Sequence, residues 1–409
     1  MDAVNAEKKQ IIWNKYFIGI FIYALLMQFT MTVTNYALPL YVVNGLGGAV
    51  SVSGVLSSVF AAGSMLCRFT TGNFVDKYGR RTILIIGALV ITVSMFALGL
   101  TKTLFVIIVF KFIQGVGHSL NSTASNAAAA DVVPKDRYSE GIGMYTLHST
   151  IVGAIGATII IWLMTLGVPE GESNYTLPLF VAAGCGAVGL LIAFVMNYEK
   201  KMSIPRRESV KKKFDINDYI ERRALLPALL VMFQSMGTGA GMFLLLYATD
   251  LGLGQAMGMY FILQTVVTVI ARFTLGKVVG RIKPMYVILL GIVLQIAAYV
   301  YIAVRPGLFA LYFSAVMGGI FGALLQPTLN ALSLKSAPVT RSGAASATYW
   351  LGFDIGMAIT PIIFGVVIDV AGYATSFLIS AAYMAVFAVC AVFVLRKTPP
   401  VDLIEQPAE

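Results

Sequence analysis

The chain has 409 residues, 58% of them hydrophobic and only 12% charged, with a mean hydropathy of +0.84. A soluble domain carries roughly a quarter charged residues, so a water-soluble globule is excluded. The net charge of +10 would suit nucleic acid, a reading that the placement of the basic residues removes.

Runs of about 18 or more apolar residues recur along the whole length, each long enough to cross a bilayer. Backbone polar groups in lipid must be satisfied within the segment, which leaves helices or closed barrels. These runs are too long and too continuously apolar for barrel strands. In chain order the expected spans are 16–43, 50–71, 82–100, 104–130, 141–166 and 177–196, then 225–247, 255–275, 285–303, 308–332, 342–369 and 374–395. The first follows residues 1–15 without a small-residue cleavage site and is expected to be retained as a helix. The fold class is therefore an all-α membrane protein with twelve transmembrane helices in two six-helix halves. The halves are expected at 1–197 and 224–409, joined by a basic linker at 198–223. The second part of the linker, 214–223, can lie as a short helix on the membrane surface.

With the N-terminus inside, only Lys102 and Arg305 of the 29 Lys and Arg fall outside, while Arg68, Lys111 and Arg272 lie within spans. Cytoplasmic loops of membrane proteins carry such an excess of base, so the charge needs no nucleic acid. An inner-membrane, multi-pass protein with both termini cytoplasmic is expected. Cys67, Cys185 and Cys390 lie in apolar runs without paired spacing, so neither disulfides nor a metal site is expected.

The halves repeat. Arg68-Phe69-Thr70-Thr71-Gly72 recurs 204 positions later as Arg272-Phe273-Thr274-Leu275-Gly276. At the same offset Gly87 meets Gly291, Gly115 meets Gly319, Asn126 meets Asn330, Pro134 meets Pro338 and Arg137 meets Arg341. Parallel halves of this kind place a substrate path between them near the midplane, which predicts a transporter.

Between the second and third spans stands Gly72-Asn73-Phe74-Val75-Asp76-Lys77-Tyr78-Gly79-Arg80-Arg81. This resembles the signature loop of the major facilitator superfamily, G-x-x-x-D-x-x-G-R-R, with every defining position filled. Gly72 lets two helices approach and Gly79 can take a turn closed to other residues. Asp76 can pair with the other half or cap a helix N-terminus, while Arg80 and Arg81 hold the cytoplasmic orientation. The resemblance implies a gating role for these five residues. The equivalent loop in the second half has Gly280 where Asp76 would be, so the latch is expected on one side only. Two further segments resemble the drug:proton antiporter branch. Lys111-Phe112-Ile113-Gln114-Gly115-Val116-Gly117 is similar to its R-x-x-Q-G-x-G motif, with Lys111 for the arginine, and Gly153-Ala154-Ile155-Gly156 is similar to its glycine-rich core, with Ala154 for the proline.

Ionisable and amide groups inside spans are functional candidates. The fourth span carries Lys111, Gln114, His118 and Asn121 on one helical face. The first adds Gln28, Thr32 and Asn35, the seventh Gln234, and the tenth Gln326 and Asn330. As a set they are expected to line a substrate cavity, although each amide alone can equally serve as interhelical glue. His148 is expected to be a neutral, hydrogen-bonded structural histidine. Arg68 and Arg272 are expected to snorkel toward span ends. Asp354 is the only carboxylate near the middle of a span, and with Lys111 it is expected to carry proton coupling. Burial and mutual proximity push the protonation of such groups in opposite directions, so a site balanced between them can change charge as the cavity alternates.

These residues point to a secondary active transporter working by alternating access, a proton-coupled exporter of drug-like or amphipathic molecules. Uptake of a nutrient or organic anion, and a lipid flippase on the same fold, are the alternatives. An enzyme is not expected, since no P-loop, no H-E-x-x-H and no serine with a plausible base occurs. Expected partners are a small-molecule substrate, protons and membrane lipid, with no cofactor, no metal and no nucleic acid. A monomer is expected.

Overall fold

The computed structural model describes residues 12–134, 141, 144–169, 172–201, 220–279, 281–337 and 342–400. Most of the expected linker, including most of the expected surface helix at 214–223, lies outside the described residues. Every regular element among them is a helix. The first half comprises Lys15–Leu40 with a π-helical extension Tyr41–Gly45, then Val50–Tyr78, Arg80–Leu100, Leu104–Val132, Leu147–Thr165 and Leu177–Val195. The seventh span is broken into Leu225–Gly237 and Leu244–Asp250 around the 3-10 turn Gly239–Phe243, with a bend of 45°. Small residues at the break explain it: a β-carbon on Gly239 would lie 2.3 Å from Phe364 and from Thr360 of the eleventh span. Ala256–Val279, Pro284–Val304 and Leu308–Lys335 follow, and the last helix is Ser342–Leu395.

That last helix has 54 residues, roughly 80 Å at 1.5 Å per residue, against a hydrocarbon layer of about 30 Å. It is two crossings broken at Gly372, whose φ of 79° and ψ of 171° leave the helical region. The chain therefore crosses twelve times. A second single-residue turn joins the second and third spans. The helix expected to end at 71 continues to Tyr78, and Gly79 alone, at φ 89°, makes the corner. A side chain would be strained at both glycines.

Within the first half, the first span packs on the fifth and sixth, the second on the fourth, and the third on the fourth and sixth. Asn14 starts the first span by accepting hydrogen bonds from the Tyr16 and Phe17 amides, and its Nδ2 reaches the Val132 carbonyl at the end of the fourth. In the second half the tenth packs on the eighth and ninth, and the final helix lies against the seventh and ninth.

The internal repeat is visible as repeated contacts. A β-carbon on Gly115 would lie 2.2 Å from the Phe60 carbonyl oxygen, and one on Gly319 would lie 2.8 Å from that of Gln264, the position equivalent to Phe60. Likewise Gly87 packs on Asn121, and Gly291 packs on the equivalent Leu325. Glycine at these points lets helices meet backbone to backbone. The halves touch along two seams, the second span against the eleventh and the fifth against the eighth.

Candidate functional site

A cavity of about 580 Å³ lies between the halves. The second span lines one wall with Ser57, Phe60, Ser64 and Arg68, and the eleventh contributes Phe353, Asp354 and Met357. The first half adds Asn35, Tyr36 and His118, and the second half adds Tyr260, Gln264, Gln295 and Tyr299. Apolar surface dominates, with polar groups interspersed, as in ligand pockets generally.

The cavity's ions are Arg68 and Asp354. Arg68 Nε lies 3.1 Å from Asp354 Oδ2, joining the two halves, and the side chains remain 35% and 16% exposed. Arg68 ends the apolar stretch of the second span, and there it meets a carboxylate of the other half. Asp354 pairs with Arg68, not with Lys111. Lys111 is buried away from the cavity, its Nζ donating to Gln114 Oε1 at 3.2 Å and lying 4.7 Å from the Phe60 ring centre. Phe60, a cavity residue, stands between, and also packs on the His118 ring at 5.5 Å.

The stripe on the fourth span divides. Gln114 Nε2 donates to Thr34 Oγ1 and Met95 Sδ, both at 3.2 Å, tying three helices together. His118 lines the cavity with its Nδ1 buried and without a hydrogen-bond partner among the described residues. Asn121 is buried against Gly87 of the third span. On the first span Asn35 faces the cavity, whereas Thr32 bonds the Gln28 carbonyl and packs on Gly156. Gln28, Gln234, Gln326 and Asn330 do not line the cavity. Gln234 and Asn330 hold buried amide oxygens without partners among the described residues, and the Gln326 carbonyl accepts from the Tyr349 hydroxyl. His148 bonds the Tyr145 carbonyl at 2.6 Å and packs on the Tyr145 and Phe21 rings.

The spacing argument passed over Arg68, Gln264 and Gln295. Arg68 carried the signal already applied to Lys111, an ionisable group inside a span. The two amides sit on the eighth and ninth spans, outside the four that carry the polar set expected from sequence.

At the signature loop, Arg80 Nε lies 3.0 Å from Asp131 Oδ2 at the end of the fourth span. The Arg81 amide donates to Glu199 Oε1 at 2.9 Å, and its guanidinium reaches the Ala193 and Phe194 carbonyls. Both arginines thus bind within their own half. Arg81 satisfies the open carbonyls that end the sixth span, a favourable place for a cation. Burial and the nearby Asp131 and Glu199 carboxylates push the Tyr198 phenol far above its usual range. Gly72 and Asp76 lie in the last turns of the second span, and their side chains are outside the described residues.

At the far end, away from the signature loop, the halves are shut. A β-carbon on Gly54 would lie 2.0 Å from the Pro361 carbonyl oxygen, and one on Gly365 would lie 2.7 Å from Ser51 Cα. Asp369 of the eleventh span caps the start of the second from across the seam, accepting from the Val50 and Ser51 amides at 2.9 Å each. At the other seam Thr158 Oγ1 donates to the Gly258 carbonyl at 3.1 Å, and Tyr36 meets Phe261 ring to ring at 4.6 Å. Nearer the signature loop, a crevice of about 250 Å³ between the fifth and eighth spans is lined by Thr150, Thr268 and Arg272. Gln264 lines both the crevice and the cavity.

Among curated relatives, the chain is 24% identical to the staphylopine export protein of Staphylococcus aureus over 398 residues, covering 94% of this chain and 96% of that one. It is 24% identical to a multi-drug resistance efflux pump PmrA homolog of Lactococcus lactis, over 80% and 81% of the two chains. Solved structures of similar fold include a POT family transporter in complex with 5-aminolevulinic acid, with a TM-score of 0.78 at 15% identity over 93% and 96% of the chains. The nucleoside transporter NupG superposes with a TM-score of 0.75 at 13% identity over 94% and 100%. The model of the Major Facilitator Superfamily matches residues 20–308 and 228–409. Twelve crossings in two repeated halves, a signature loop folded around Gly79 and a cavity between the halves agree with that match: the chain belongs to the Major Facilitator Superfamily and is a membrane transporter of small molecules, not an enzyme.

Proposed function

We propose that this transporter is a proton-coupled exporter of amphipathic small molecules, working by alternating access in the cell membrane with both termini cytoplasmic. The observation that carries the reading is the cavity: about 580 Å³ with a mainly apolar wall, crossed by one ion pair that joins the halves. Such a wall suits a greasy body, and such a pair is broken whenever the halves separate there. Resemblance to export proteins over nearly the whole chain supports the direction.

In this reading Asp354 accepts the proton when Arg68 moves away, because a carboxylate left alone in the membrane is costly as an ion. Lys111, behind Phe60, is a second protonatable group on the same route. The signature-loop residues Gly72, Asp76, Gly79, Arg80 and Arg81 govern which side opens, and the crevice ending at Arg272 marks the cytoplasmic approach. The working unit is the single chain, with the 198–223 segment as the linker between halves. Import of an organic anion is the second reading, with Arg68 on the cavity wall as its countercharge.

The test uses reconstituted vesicles with an imposed pH gradient. Asp354→Asn is expected to abolish gradient-driven accumulation while retaining gradient-independent exchange at saturating substrate. Full gradient-driven transport by Asp354→Asn would overturn the coupling role. Lys111→Met is expected to keep binding and to alter only the dependence on the gradient.

A further inference from the structure

Arg68 and Asp354 touch through one prong. The contact runs from Nε to Oδ2. The guanidinium's other contact among the described residues is a long one, Nη2 to Ser64 Oγ at 3.4 Å. An arginine and a carboxylate that serve only each other favour a two-pronged alignment. Here the guanidinium's Nη1 and the second carboxylate oxygen have no protein partner among the described residues, on side chains that line the cavity and keep 35% and 16% of their surface open.

The pair is also not needed to fasten a seam. The repeat places Arg272 and Thr150 at the positions equivalent to Arg68 and Asp354, and both line the crevice between the fifth and eighth spans. That seam has no acid at the equivalent point, yet it packs. The carboxylate is present only where the cavity is.

A fixed pair of opposite charges on a low-polarity wall discriminates among ligands by charge pattern. A cation satisfies Asp354 and is repelled by Arg68, an anion does the reverse, and a neutral molecule uses neither. A molecule with both charges a few ångströms apart can lie head to tail along the pair, favourable at both ends in a medium that screens little. Phe60 and Phe353 line the same cavity as the pair, and Gln264 and Gln295 add neutral hydrogen-bonding groups to its wall.

We propose that the cavity selects zwitterionic small molecules, whose ammonium and carboxylate groups pair head to tail with Asp354 and Arg68 while an aromatic or apolar body fills the remaining space. This deepens the reading above only in taking the cavity as the substrate site. It does not depend on proton coupling or on direction.

The test is ligand-induced stabilisation of the purified full-length protein, since a ligand of the native state raises its melting temperature. The probes are phenylalanine, tryptophan and O-benzyltyrosine, each as the free amino acid, the methyl ester, the N-acetyl acid and the N-acetyl methyl ester. These carry both charges, the positive one, the negative one and neither. At least one free amino acid is expected to bind roughly tenfold or more tightly than its singly charged and neutral forms. Arg68→Gln with Asp354→Asn, which removes both charges and strands neither, is expected to erase that preference while the protein stays folded. The exchanged pair, Arg68→Asp with Asp354→Arg, is expected to retain it, because the ligand can reverse. Equal or tighter binding of a singly charged or neutral form, no binding by any of the three zwitterions, or a zwitterion preference surviving in the neutral double variant would each overturn the proposal. Zwitterion binding without gradient-driven flux would leave it standing and remove the coupling role alone.

Discussion

The two seams between the halves are equivalent under the internal repeat and differ in what they place at equivalent points. Gly54 on the second span corresponds to Gly258 on the eighth, and both stand where the far end closes. Lower down, Arg68 corresponds to Arg272, but the eleventh span answers with Asp354 where the fifth has Thr150. The closing geometry is shared, and the charge is not. Repetition of the fold therefore supplies two places to shut the transporter, while the chemistry that a solute or proton can sense belongs to one of them. The seams differ mechanically as well. At the second and eleventh spans, backbone meets backbone, whereas at the fifth and eighth the contact is made through the Thr158 side chain.

The largest expected effect comes from adding one methyl to each glycine. At Gly54 the new carbon would sit 2.0 Å from the Pro361 carbonyl, a group that cannot turn aside, whereas at Gly258 it would sit 3.2 Å from the Thr158 hydroxyl, which can. Gly54→Ala is expected to cost the far-end-closed state about 3 kcal/mol, the upper part of the range for overpacking. Transport should collapse, and a cysteine placed at Ser53 should label faster from the far side. Gly258→Ala should stay near wild type. Equal penalties at the two glycines would erase the mechanical difference between the seams.

Next comes the ion pair. Arg68→Gln and Asp354→Asn each strand a half-buried charge, so each should lower the melting temperature more than the double variant does. The cycle is expected to give a coupling of about 2 kcal/mol. A coupling near zero would mean that the two side chains are neighbours without being partners.

A smaller effect is expected at Asp369, whose carboxylate caps the second span from the opposite half. Loss of an N-terminal cap costs about 1 kcal/mol, so Asp369→Ala should shift the balance toward far-end-open molecules by roughly fivefold. Distances between spin labels on the far ends of the second and eleventh spans would report it. Smallest of all, Thr150→Asp supplies the missing acid at the other seam. An exposed pair with Arg272 is worth about 0.5 kcal/mol, a small rise in melting temperature that Arg272→Gln should remove.

Much of this architecture was legible in the sequence, because a bilayer forces each crossing to be a long apolar helix and a repeat at fixed offset shows directly. The end of the second span was not. Residues 72–78 look like a polar loop, yet Tyr78 is still helical, because helix is the cheapest way to satisfy a backbone leaving the membrane. The stripe on the fourth span looks like one surface in the sequence. Lys111, Gln114, His118 and Asn121 fall within about 80° of one another at 100° per residue, and an arc that wide straddles a border between neighbours. Gln114 turned to Thr34 and Met95, and His118 to the cavity. Spacing along one helix gives the relative directions of its side chains and says nothing about which helix stands opposite. For the same reason the partner of Asp354 was unreadable: Arg68 lies on a different span, and only the seam brings them together.

The turn at Gly372 has a consequence for how the protein is made. With a single residue between the eleventh and twelfth crossings, there is no tether on which one could wait for the other, so both must enter the bilayer together as a helical hairpin. Its tip carries Asp369, three residues before the corner, and the capping bond to Val50 and Ser51 can form only after that tip has emerged on the far side. Completion of the last hairpin thus closes the seam between the second and eleventh spans, the other seam being held by the fifth and eighth, which precede it. A protein truncated before it would have both six-helix sets begun and only the seam between the fifth and eighth spans to hold their far ends together.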